Sequence, residues 1–359
     1  MRDRVVGMLD IGGSKISCRV ALLSDGECIA AGFGCVQSVG MSRGRIVSMQ
    51  MLSHAIGDAI SSAEKDAGMS VDSIVAAVPE TFLETRRIEA AVRVKRAVHE
   101  SDCAKLKHKS KDVIAKSVIS YAIDGNVEIE NPVGMSGRVL SADIYEICAK
   151  NSCISDIERF MRGLGLSNIH FVPSGIASAL GVAQDKEISE EEYVQVVDFG
   201  YMLTHIAVLK GNRWLYSDCI NMGGESVSKD ISYGLGVSHK QAEKLKVMYG
   251  MEGKAIKIGD ETWPRSSLRN IILPRLNEIC ALLHKKLSSF ASKKIFIVGS
   301  SVAMHEIFTT LEKMGYIVVV PQNFRSSSED GLAFYAENDL NLQSANLWKR
   351  FSSWLKEWL

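Results

Sequence analysis

Four short stretches of this sequence carry residue types that could hold a phosphorylated ligand. The first is Asp10-Ile11-Gly12-Gly13-Ser14-Lys15. A glycine turn between two strands can aim consecutive backbone N–H groups at an anion. Asp10 could hold magnesium through water, and Lys15 could offset phosphate charge. An ordinary β-hairpin with an exposed lysine has the same letters. The second stretch, Asp198-Phe199-Gly200-Tyr201-Met202-Leu203-Thr204-His205, repeats Asp-x-Gly but keeps a single glycine. Tyr201, Met202 and Leu203 put Cβ atoms and bulk where a backbone would have to approach phosphate closely. Asp198 could be a second metal-side carboxylate, again through water and weakened by these neighbours, and His205 reads as a structural histidine on a strand rather than a base. In the third stretch Gly223-Gly224 precedes Glu243-x-x-Lys246. Residues i and i+3 share a helix face, so both heads could reach a ribose and adenine, or simply pair on the surface. The fourth is Val298-Gly299-Ser300-Ser301, a strand meeting a glycine turn.

These turns need strands to carry them, and the pattern supplies them twice. VVGMLDIGG, KISCRVALLS and ECIAAGFGCVQ read as three strands, followed by a helix from Met49 to Ala67 that stops at Gly68, then the short strand SIVAAVP. A similar order restarts near Tyr193: YVQVVDFG, THIAVLKG and RWLYSDCINMGG, then helical segments, then KKIFIVGSS. A strand–glycine–strand–strand–helix module occurring twice predicts two lobes of common design, with a ligand cleft between them. The stretch from about Thr81 to Phe160 does not repeat and reads as an inserted subdomain.

Composition narrows the partners. Forty-two basic residues balance forty-two acidic ones, so no global field favours nucleic acid. No run of eighteen apolar residues occurs, and the N-terminal pattern leaves no room for a signal peptide. Eight cysteines without any C-x-x-C read as reduced cytosolic thiols rather than a zinc site.

Taken in order, Asp-x-Gly, a second Asp-x-Gly, E-x-x-K and a final glycine turn resemble the actin-like ATPase superfamily. More narrowly, the chain resembles the FtsA family of bacterial cell-division proteins, nearly end to end. Gly40-Met41-Ser42-Arg43-Gly44 is similar to that family's G-M-x-x-G loop. Asn131-Pro132-Val133-Gly134-Met135-Ser136-Gly137 is similar to its N-P-x-G-x-x-G stretch. Ser228-Lys229-Asp230-Ile231, with Gly234 and Gly236, resembles the segment ahead of the E-x-x-K helix, and Pro274-Arg275 falls inside a long helix.

The resemblance implies an α/β, actin-like two-lobed fold built from duplicated ribonuclease-H-like modules. The first lobe would take 1–80 and 161–192, with 325–336 returning to it; 81–160 would be the inserted subdomain and 193–324 the second lobe. A polar linker, 337–346, would lead to an amphipathic helix, 347–359. The implied role is a cytoplasmic tether that joins FtsZ filaments to the inner membrane, assembles into filaments and recruits later division proteins. The FtsZ tail would meet the second lobe within about 224–280, where Lys254, Lys257, Arg265 and Arg269 suit an acidic peptide. The implied nucleotide contacts are Asp10, Gly12, Gly13, Ser14, Lys15, Asp198, Gly200, Gly223, Gly224, Glu243, Lys246, Gly299 and Ser300. Departures at Tyr201, Met202, Leu203, His205 and Ser300 predict weakened or lost binding of magnesium–ATP and no meaningful hydrolysis. The alternatives are a nucleotide-hydrolysing kinase or ATPase of the superfamily, or another actin-like scaffold such as a pilus-assembly relative.

The chain ends in LWKRFSSWLKEWL, which holds three of its five tryptophans. At about 100° per residue, Leu347, Trp348, Phe351, Trp354, Leu355, Trp358 and Leu359 fall within an arc of about 140°. Lys349, Arg350 and Lys356 lie with the serines and Glu357 on the remainder. Thirteen helical residues rise only about 20 Å, too short to span a bilayer and marginal as a free helix. Tryptophan at this density predicts an interfacial membrane anchor that folds on binding.

Overall fold

A computed structural model describes residues 4–24, 27–106, 112–150, 152–184, 192–211, 213–250, 255–300, 304–322 and 327–342. Two five-stranded sheets dominate it. The first joins Arg4–Ile11, Lys15–Ser24, Glu27–Gln37, Ser73–Val78 and Asn168–Pro173, ordered third, second, first, fourth, fifth. The second joins Tyr193–Phe199, Thr204–Lys210, Arg213–Ile220, Lys294–Val298 and Ile317–Val319 in the same order. In both, the first three strands run antiparallel and the last two pair parallel to the first. The repeated module of the sequence is thus a repeated sheet. Central strands flanked on both faces read as apolar runs, as in VVGMLDI, because neither face meets water.

The second sheet is sandwiched. Val194, Val196, Ala207 and Val298 join the core of the first sheet, while Val197, Ile206, Val208 and Ile297 join a second core under the helices Gly224–Leu235, His239–Tyr249 and Arg265–Leu287. Between the two sheets lie the helices Ser174–Val182 and Ser327–Leu342. Every residue of Ser174–Val182 is buried, so it is apolar all round rather than on one stripe. The two helices cross at Gly181 and Gly331. A Cβ on Gly181 would sit 1.9 Å from the Ser327 carbonyl oxygen, and one on Gly331 1.8 Å from that of Ala177. Only hydrogen at both positions lets the backbones approach this closely.

The insert is a four-stranded sheet, ordered Leu83–Arg93, Val139–Ala149, Val113–Ile123 and Asn126–Ile129, with its own small core around Val98, Leu140 and Ile144. Two boundaries differ from the sequence reading. The helix Cys153–Gly163 buries Ile154, Ile157 and Met161 in the core of the first sheet, so the insert's own structure ends before Phe160. The last helix continues to Leu342, through the first half of the stretch read as a polar linker. It is helical there because it extends a packed helix and contains no proline or glycine stop. The anchor at 347–359, with Leu347, Trp348, Lys349, Arg350, Phe351, Trp354, Leu355, Lys356, Trp358 and Leu359, lies outside the described residues, as does Lys254.

The helix crossing gives the first test. Gly331→Ala forces a methyl into backbone, so it is expected to destabilise by about 3 kcal/mol, at the upper end of overpacking changes. Chemical denaturation measures it; Gly163→Ala, whose Cβ would meet nothing within 4 Å and whose backbone is not left-handed, is the control for lost glycine without a clash.

Candidate functional site

The two Asp-x-Gly turns face each other across a cleft of about 400 Å³. They are built alike. Asp10 sits opposite Ser17 in one hairpin and Asp198 opposite His205 in the other. A Cβ on Gly12 would lie 2.8 Å from the Lys15 carbonyl oxygen, and one on Gly200 2.9 Å from that of Leu203. The geometry therefore requires glycine at the same point of each turn. The cleft wall carries Asp10, Gly12, Gly13, Ser14 and Lys15 from the first turn, Asp198 and Gly200 from the second, and Gly299 and Ser300 from the strand end nearby. Gly299 has φ +98° and lies so close to Asp198 that its Cβ would meet Oδ1 at 2.5 Å.

Gly223, Gly224, Glu243 and Lys246 are placed differently. They stand behind the second turn and do not line that cleft. The first amides of the helix Gly224–Leu235 are already used: Gly224 N–H donates to the Gly200 carbonyl at 3.0 Å and Glu225 N–H to that of Tyr201 at 2.8 Å. Lys246 is buried; it pairs with Glu243 at 2.6 Å and donates to the Gly224 carbonyl at 3.1 Å. Burial pulls its ammonium below the ordinary lysine range, and Glu243 opposes that fall. The Tyr201 ring lies over Lys246, Nζ to centroid 5.4 Å, and its hydroxyl sits 3.1 Å from His239 Nε2.

The bulk of the second turn goes into the cleft. Met202 lies against Gly13: a Cβ there would meet Met202 Cγ at 2.8 Å and Sδ at 3.1 Å. Leu203 packs on Gly44 of the Gly40–Gly44 loop in the same manner, at 2.8 Å. Two residues of the second turn therefore touch two loops of the first lobe directly.

Several residues of the site were not singled out from the sequence. Ser328 Oγ donates to Asp10 Oδ2 at 3.2 Å, and Ser178 Oγ donates to Asp198 Oδ2 at 2.6 Å. Both serines come from the two central helices. Glu329 is held by Arg19 at 2.6 Å and by Ser17 Oγ at 3.3 Å. Burial, then the facing Asp198, pushes the Asp10 carboxyl up to about 6. By linkage, a raised carboxyl pKa contributes stability that fades as pH rises through about 6, so ionised Asp10 weakens the fold at neutral pH.

Glu80 is the other unforeseen member. It is buried at the end of the strand Ser73–Val78, accepts from Gly175 N–H at 2.8 Å and Ser217 Oγ at 3.1 Å, and pairs with His205 Nδ1. One carboxylate thus ties the first lobe, a central helix and the second sheet. Burial opposes charge on His205, but the Glu80 carboxylate outweighs it, aided by Asp198 and Asp10, and lifts the imidazole to about 9. His205 is a structural cation, in agreement with its reading as a strand histidine. Of the residues read for an acidic partner, Arg265 stacks on Tyr249, 4.8 Å from its ring centroid, and donates to the Tyr249 carbonyl. Arg269 is exposed, with Glu306 3.9 Å away.

The His205 pair fixes a pH window. A histidine raised from 6.5 to about 9 contributes stability that is complete below 6.5 and is lost as pH rises through 9. The thermal midpoint is expected to fall between pH 7 and pH 9.5, and Glu80→Gln should remove most of that slope while lowering the midpoint at pH 7. An unchanged slope in the variant would assign the pH dependence to other groups.

Comparison with known proteins supplies the family. The sequence matches the family described as "Cell division protein FtsA" over residues 195–314, and the "SHS2 domain inserted in FTSA" over 68–148. It is 29% identical over 315 residues to the cell division protein FtsA of Escherichia coli K12, covering 81% of this chain and 74% of that one. It is 26% identical over 269 residues to that of Agrobacterium fabrum, covering 69% of this chain and 60% of the relative's length. Among solved structures, the PilM–PilN type IV pilus biogenesis complex matches with TM-score 0.63 at 13% identity, over 92% of this chain and 98% of that one. MreB5 of Spiroplasma citri bound to ADP matches with TM-score 0.58 at 11% identity, over 96% and 99%. These structures establish the actin-like fold, and the insert distinguishes the family within it. The chain belongs to the FtsA family.

Proposed function

We propose that this chain is a cell-division scaffold that tethers FtsZ filaments to the cytoplasmic face of the inner membrane and recruits later division proteins. The carrying observation is the combined match to the FtsA family across the second lobe and the inserted subdomain. The relatives' shared name, cell division protein, supports the cellular role. The membrane contact is assigned to the amphipathic sequence 347–359. Among the described residues no helix is long and apolar enough to cross a membrane. In 347–359, Lys349, Arg350 and Lys356 against Glu357 leave a net of only about +2, whereas each large apolar group buried contributes roughly 1.5–3 kcal/mol. Insertion of Trp348, Phe351, Trp354 and Trp358 therefore dominates. The acidic FtsZ tail is assigned to the second lobe near Arg269, with Arg265 setting the shape of that edge. Self-association into filaments is part of the same proposal.

Nucleotide binding is proposed to be weak or lost. What supports this is the bulk of the second turn: Met202 reaches across the cleft to Gly13, and the Tyr201 ring lies over Lys246. The rival reading, a nucleotide-hydrolysing enzyme, draws on Asp10, Lys15 and the retained Glu243–Lys246 pair. It needs a second turn open to phosphate and a base beside it. His205, the nearest imidazole, is committed as a cation to Glu80.

Sedimentation with vesicles tests the tether. The full chain is expected to carry FtsZ filaments down with phospholipid vesicles. Trp354→Glu should abolish vesicle binding, whereas high salt should only weaken it. A chain that binds vesicles but leaves FtsZ in the supernatant contradicts the proposal, and loss of vesicle binding at moderate salt contradicts the dominance of apolar insertion.

A further inference from the structure

We propose that Met202 and Leu203, on a turn braced by Tyr201, are a built-in substitute for a cleft ligand, holding the two lobes closed without nucleotide. The inference rests on the reading that nucleotide binding is weak, and deepens it by naming what takes the ligand's place. In a two-lobed protein a bound ligand favours the closed state only by contacting both lobes at once. Here the chain's own side chains make the contacts. Met202 spans from the second turn to the Gly13 backbone, Leu203 from the same turn to Gly44. A bridging group carried by the chain acts at a fixed local concentration and is not diluted away.

The rest of the turn is braced to present these side chains. Carbonyls of Gly200 and Tyr201 cap the amides of Gly224 and Glu225, so the N-terminus of that helix holds the turn in place. A Cβ on Gly223 would meet both of those carbonyl oxygens at 2.6 Å, so the helix start and the turn are in direct contact. Tyr201 is fixed at both ends, by the Lys246 ammonium beneath its ring and by His239 at its hydroxyl. Below the turn, Ser178 to Asp198 and Glu80 to His205 hold the same hairpin to the central helix and the first lobe. A glycine turn would leave open the space that Met202 occupies. Met202 and Leu203 therefore stand in for the bridging role of a phosphorylated ligand.

Spin labels at Ser62→Cys and Lys285→Cys, on exposed outer helices of the two lobes, read the opening of the cleft in a full chain whose accessible native thiols are replaced. The wild-type turn is expected to give one narrow distance distribution, identical with and without magnesium–ATP. Met202→Gly should broaden it toward longer distances. In the Tyr201→Gly, Met202→Gly double variant, magnesium–ATP should restore the narrow distribution. If Met202→Gly does not fold, Met202→Ala is measured with the same expectation, and Met202→Leu should remain narrow. A Met202→Gly or Met202→Ala distribution matching wild type overturns the bridging role while leaving weak nucleotide binding intact. A wild-type distribution that shifts with magnesium–ATP overturns both.

Discussion

The distance between the two sheets is set by the crossing of two helices at paired glycines. Gly181 and Gly331 let the backbones of Ser174–Val182 and Ser327–Leu342 touch, and everything at the cleft inherits that spacing. The same crossing delivers Ser178 to Asp198 and Ser328 to Asp10. A wider crossing would withdraw both hydroxyls and separate the turns. The central helix can serve both sheets because it is buried on every side, so apolar burial fixes its position and the serines fix its orientation.

On that frame the cleft gathers negative charge that the fold must accommodate. Asp10 faces Asp198 in a buried setting and is held back from ionising until about pH 6. Glu329 is neutralised by Arg19, and Glu80 by His205. Buried carboxylates of this kind weaken the fold wherever nothing offsets their charge. In this chain the relief is partial: hydroxyls reach the two aspartates and the His205 imidazole sits near both, while apolar bulk from the second turn lines the gap.

The repeat of the sheets was legible because strand–glycine–strand patterning recurs in the sequence, and the crowded second turn was legible because Tyr201-Met202-Leu203 follow Gly200 where Gly13-Ser14 follow Gly12 in the first turn. Glu80 was not. Following Pro79 in a polar stretch, it looks like a loop acid; only the fold shows it enclosed by Gly175, His205 and Ser217. Ser328 and Glu329 escaped for a related reason, since they act on Asp10 and Arg19 across some three hundred residues of chain. The E-x-x-K pair was recognised, but its spacing says nothing of what lies above it, and Tyr201 over Lys246 is a tertiary fact. The insert boundary near Phe160 and the start of the linker at 337 were misplaced, because packing takes the helix Cys153–Gly163 into the first core and carries the last helix to Leu342.

The tether proposed above, with its lobes bridged by its own side chains, should be free of nucleotide control. The most direct test is recruitment of FtsZ filaments to anionic phospholipid vesicles by the full chain, with FtsZ held assembled by a guanine nucleotide and adenine nucleotide either absent or present with magnesium. The account expects equal recruitment in both conditions. Recruitment that appears only with magnesium–ATP would contradict it.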